Sequence, residues 1–159
     1  MYRWVVFLHI LGSLLFFMAH GVSAAMALQI GREQNRERIR GLMELSAAAV
    51  PVMWIGLLTL LIAGIIAGIM GNWFSFGWIW LSLALMVVLV IWMGYTVQKR
   101  YAPIRKALGI TYRGQPGDNP PASDDEIASL IRAANPVSLA AGGFGLAAVI
   151  LWLMIFKPF

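Results

Sequence analysis

The chain has 159 residues, of which 60% are apolar and 12% charged, with a formal net charge of +5 and a mean hydropathy of +0.78. This balance excludes an ordinary water-soluble domain. With no cysteine, the chain can hold no disulfide, thiolate metal site, iron–sulfur cluster or cysteine nucleophile.

Four apolar runs are long enough for a hydrocarbon core of about 30 Å. They cover about 4–28, 42–70, 77–97 and 136–156. An all-α fold follows: a polytopic four-helix membrane bundle in a single domain, with a cytoplasmic loop over 98–135. The first run holds both histidines, His9 and His20. Val22-Ser23-Ala24 resembles a signal-peptide cleavage site. However, one arginine precedes the run and four follow it, the wrong polarity for export, so the run is read as a helix.

Between the first two runs, residues 31–40 carry Arg32, Arg36, Arg38 and Arg40. Glu44 just beyond them reads as an interfacial charge. The second run contains Gly64-Ile65-Ile66-Ala67-Gly68, a GxxxG pattern that licenses close helix packing, and Pro51, which is expected to kink it. The connection to the third run, residues 71–76, is uncharged.

After the third run the loop holds Lys99, Arg100, Arg105, Lys106, Arg113 and Arg132. Ten of the twelve Lys and Arg therefore fall in two loops, and only Arg3 and Lys157 at the other end. This bias predicts both termini outside and both basic loops in the cytoplasm of a bacterial inner membrane. It also assigns the positive charge to topology and anionic lipid, with no nucleic-acid partner. Residues 114–121, dense in Pro and Gly, are expected to be irregular. Ser123-Asp124-Asp125-Glu126 reads as a capping box. Ile127, Leu130, Ile131 and Ala134 follow at helical spacing, predicting a short amphipathic helix on the inner membrane surface. Pro136 suits the first turn of the last span, in which Ala140-Ala141-Gly142-Gly143 offers another small-residue face.

The spans hold no Asp, Lys or Arg at depth, which argues against an ion-coupled pump, and no hydrolase triad, P-loop or carboxylate pair is present. The histidines are the chemistry on offer. Eleven residues apart, they lie within about 20° of one helical face and about 16 Å apart along the axis. Gly12, Ser13 and Phe16 share that face, and small neighbours let a flat ligand approach an imidazole. Haem b, bound non-covalently through His9 and His20 beside Gly12 and Ser13, is the leading expectation. Packing histidines that hydrogen-bond within the bundle are the plain alternative. Depth matching sets His20 level with Met53 and Met93, and His9 level with Met154, as candidate metal donors or sixth ligands. A two-fold homo-oligomer would instead supply bis-histidine sites.

Leu8-His9-Ile10-Leu11-Gly12, the arginine-bearing short loop, Gly77-Trp78 and Phe156-Lys157-Pro158 together carry a resemblance. The chain resembles a bacterial integral-membrane family of the domain-of-unknown-function 2269 type, similar in layout to CopD-like and HemJ-like membrane proteins. The HemJ-like likeness implies tetrapyrrole binding and porphyrin oxidation at His9; the CopD-like likeness implies copper passage. Three functions follow as expectations: haem or tetrapyrrole binding, a non-catalytic accessory subunit of a respiratory or photosynthetic complex, and a small copper or solute carrier.

Overall fold

The computed structural model describes residues 1–110 and 122–159; the expected irregular stretch 114–121 lies outside them. The described residues form five α-helices: α1 (Tyr2–Ile30), α2 (Arg36–Met70), α3 (Gly77–Ala107), α4 (Asp124–Ala134) and α5 (Pro136–Phe156), with a 3₁₀ turn at Trp73–Ser75. Four helical segments are long and apolar enough to cross a membrane, the last running through α4 into α5. α1 and α2 make the most extensive helix pair, α3 packs on α5, and α1 joins the two pairs through α5.

Two elements run past the apolar runs that define them in sequence. α2 starts at Arg36 because Asn35 caps it, its side-chain oxygen accepting the Arg38 amide at 3.1 Å. Just before it, Glu33 Oε1 accepts the amides of Asn35 and Gln34 at 2.9 and 3.0 Å. The Asn35 amide above all holds this carboxyl below the usual carboxylate range. α2 then continues through Pro51 to Met70 as one helix.

α3 continues ten residues beyond Val97, through Pro103. Charge at Lys99 and Arg100 ends the apolar run, but Tyr101, Ile104 and Ala107 recur on one stripe and are buried. The apolar face of α4 meets them: Ile127, Ile131 and Ala134 join the cluster that includes Ile30, Met43 and Ile104. The amphipathic helix expected on the membrane surface thus lays its apolar side on protein. Ser123 caps α4 by accepting the Glu126 amide, as its capping pattern predicts.

Asn135 makes the elbow between α4 and α5. It adopts a left-handed conformation (φ 44°), closing α4, and its Oδ1 accepts the Ser138 amide to start α5 at Pro136. Arginines finish the basic end. Arg36 donates to the carbonyls of Ala107 and Ala122 at 3.0 and 2.8 Å, while Arg100 donates to Ala134 at 3.0 Å. Ala107 and Ala134 are the last residues of α3 and α4, where free carbonyls and the negative dipole end favour a cation.

The middle of the bundle is filled by Phe16, Leu57, Leu60, Leu89, Ala147 and Ile150, and the end near the termini by Trp78, Ile79 and Leu153. Large side chains such as Leu14, Met18, Ile55, Ile62, Ile91 and Ile155 stand more than half exposed on the outside. An apolar exterior of that extent suits lipid.

Candidate functional site

The two imidazoles share a stripe of α1 but meet different helices. His9 turns to α2: its Nδ1 lies 2.7 Å from the carbonyl oxygen of Leu60. A carbonyl only accepts, so Nδ1 carries the proton and the neutral ring keeps its lone pair on Nε2. The Nδ1–Cε1 edge fills the notch at Gly64, where a Cβ would come within 2.8 and 2.9 Å of those two atoms. Glycine of the GxxxG pattern therefore seats a side chain. Its companion Gly68 likewise receives Phe74 and Ile79.

His9 lines a cavity of about 230 Å³ shared by all four long helices, together with Ser82, Met86, Met154, Trp78 and Lys157. His9 and Met154, matched by depth in the sequence, both line this cavity. Met86 on α3, which depth matching did not single out, lines the cavity too and also packs against the mid-bundle cluster. Ser82 donates to its own helix at Trp78, leaving its oxygen lone pairs as the polar feature of that wall.

The C-terminal residues pack beside this cavity. Lys157 Nζ lies 4.0 Å from the Trp73 ring centroid and 5.7 Å from that of Trp78. The Trp78 amide donates to the Phe159 carbonyl at 3.2 Å, and the Phe159 ring fills the notch at Gly77.

His20 turns the other way, to α5. It is buried, stacks on Phe16 with ring centroids 5.9 Å apart and 8° between planes, and meets the edge of Phe144 at 5.1 Å. Its Nε2 and the sulfur of Met93 converge on Gly143, 3.1 and 3.3 Å from where a Cβ would stand. Met53 and Met93 pack against the mid-bundle cluster that contains Phe16.

Gly12 and Ser13 are engaged elsewhere. A Cβ on Gly12 would meet the Leu60 nitrogen at 2.5 Å, and one on Gly56 the Phe16 nitrogen at 2.5 Å, so these glycines mark the α1–α2 crossing. Ser13 donates to the His9 carbonyl one turn back at 2.8 Å. Further along the same interface Ser23 and Ser46 share a hydrogen bond of 3.0 Å.

These facts test the room for a porphyrin. Sites for molecules of such size enclose roughly 300–1,000 Å³, above the cavity at His9. The small residues that would admit a flat ring, Gly12, Gly64 and Gly143, face protein atoms instead. Among the described residues no group of three His, Asp or Glu could hold a metal, so hard-cation sites of that kind are absent there.

A family model described as a predicted integral membrane protein, DUF2269, matches residues 3–158, and the chain belongs to that family. No curated protein and no solved structure matches it.

Proposed function

We propose that this member of the DUF2269 family binds a soft metal ion within the bundle, copper(I) foremost, through His9, Met86 and Met154, and acts as a small carrier of that ion. The observation that supports this most is that an imidazole pinned by Leu60 and two thioethers line one cavity. Imidazole and thioether are the donors that favour copper(I), and a backbone carbonyl on the second ring nitrogen is the usual support for a ligating histidine. The apolar walls would exclude competing hard ligands.

Haem b at the same His9 is the second reading. The Nδ1–H to carbonyl bond favours it equally, and Met154 would supply the sixth ligand. When bound, such a group would bring one-electron chemistry. Its ring would need the helices to part around His9.

The reading places the chain in a bacterial inner membrane with both termini outside, since ten of twelve cations lie at the end opposite the termini. The His9 cavity, which Tyr2 and Lys157 also line, then lies toward the periplasmic end. Gly94 and Gly145, with open space over their Cα atoms, offer surfaces where a second copy or a larger complex would pack.

The test is metal analysis and an absorption spectrum of the full chain in mild detergent. Copper(I) retained against a chelator and reduced by one ion per chain in His9→Ala supports the carrier. A Soret band lost in His9→Ala replaces it with the haem reading. A colourless protein that holds neither leaves a non-catalytic accessory subunit.

A further inference from the structure

We infer a second copper(I) site, formed by His20 and Met93 across Gly143 and separate from the His9 cavity. It rests on the soft-ion reading of the bundle proposed above. Three observations carry it. His20 is 94% buried by its 6% relative exposure, yet makes no hydrogen bond among the described residues. A neutral imidazole without a hydrogen-bond partner keeps the lone pair of one ring nitrogen open to an ion. The Met93 sulfur converges with His20 Nε2 on one face of Gly143, where no side chain separates them. Finally, the surroundings are dry and aromatic: Phe16 stacks on the ring and Phe144 meets its edge.

His20 comes from α1, Met93 from α3 and Gly143 from α5, so the site ties together the three helices that leave α2 aside. It lies about 16 Å along α1 from His9, or three turns, toward the basic end. Two soft-donor stations at different depths provide successive resting places for an ion crossing the bundle. The flexible thioether of Met93 suits transient ligation, because three rotatable bonds let the sulfur approach or leave without moving the helix.

Glycine is the specific requirement at position 143. A side chain there would stand between the two donors, 3.1 Å from one and 3.3 Å from the other, while both ligands remained in the chain.

The experiment counts copper per chain by native mass spectrometry of the full-length protein in detergent, loaded with copper(I) under reductant. Wild type is expected to hold two ions, and His20→Ala, Met93→Leu and Gly143→Val one each. Met93→Leu keeps the side-chain volume and removes only the sulfur, so a loss there is not a folding defect. Gly145→Ala, in open space, should keep both ions. His9→Ala should retain one ion, and copper-edge absorption of that variant should show one nitrogen and one sulfur neighbour. A wild type whose copper count is unchanged by His20→Ala and Met93→Leu overturns the second site. A single ion lost with His20→Ala and indifferent to His9→Ala upholds it and overturns the His9 cavity instead.

Discussion

Gly12 on α1 and Gly56 on α2 face each other so closely that a Cβ on either would lie 2.5 Å from the opposing backbone. Because the obstructing atoms are main chain, neither helix can relieve the contact by a rotamer change. Gly12→Ala and Gly56→Ala should each destabilise the bundle by about 1–3 kcal/mol, the usual cost of overpacking. Thermal unfolding in detergent should show a lowered Tm for both, with Gly21→Ala and Gly145→Ala, which meet nothing, unchanged.

Gly64→Ala acts on a side chain rather than on a helix. The new methyl would push the His9 ring, whose Nδ1 and Cε1 lie 2.8 and 2.9 Å from it, away from α2. The hydrogen bond to Leu60 should be lost and metal affinity at His9 should fall by about tenfold or more, as for other lost supports of a ligating histidine. Chelator competition reads the affinity. Circular dichroism should remain that of the wild type.

Arg36 bridges Ala107 at the end of α3 and Ala122 just before α4, with Asp124 at 3.7 Å. Removing it leaves two carbonyls without a charged donor. Arg36→Ala should cost about 1.5–3 kcal/mol, and Arg36→Lys should recover only part of this, since an ammonium lacks the planar fork. Faster hydrogen exchange at residues 107–110 and 122–127 would locate the loss.

Tyr101 predicts the opposite sign. Its hydroxyl is buried with no partner among the described residues, so Tyr101→Phe removes an unpaired polar atom while keeping the ring among Ile104 and Ile131. The variant should be as stable as wild type or more so, by up to about 1 kcal/mol. A clear drop in Tm would show that the hydroxyl has a partner in the membrane, such as a buried water.

The orientation is open to reporter fusions. A periplasm-dependent enzyme attached after Phe159 should be active, and the same enzyme attached at Arg113 silent. The reverse pattern would invert the proposed topology.

The four long helices and the cap at Ser123 are legible in the sequence because hydropathy and local side-chain-to-amide spacing determine them. Helix limits are not, where packing overrides composition: α3 passes Lys99 and Arg100 because α4 covers Tyr101 and Ile104. The shared stripe of His9 and His20 is likewise legible, but not their separation onto α2 and α5, since periodicity fixes a face and not its neighbour. Gly12 and Gly64 illustrate the same gap. A small residue announces a close approach, while only the fold decides whether backbone or imidazole arrives.

The arginines at the basic end have a consequence for anyone who would reorient the protein by redistributing charge. Insertion machinery counts Arg36 and Arg100 as orienting cations, yet each also holds the final carbonyls of a helix. Moving either one confounds two readouts, because a molecule that fails to assemble and one threaded backwards would both lose function. Arg32, which makes no such contact among the described residues, is the cation to relocate first. Orientation and assembly can be told apart only by starting there.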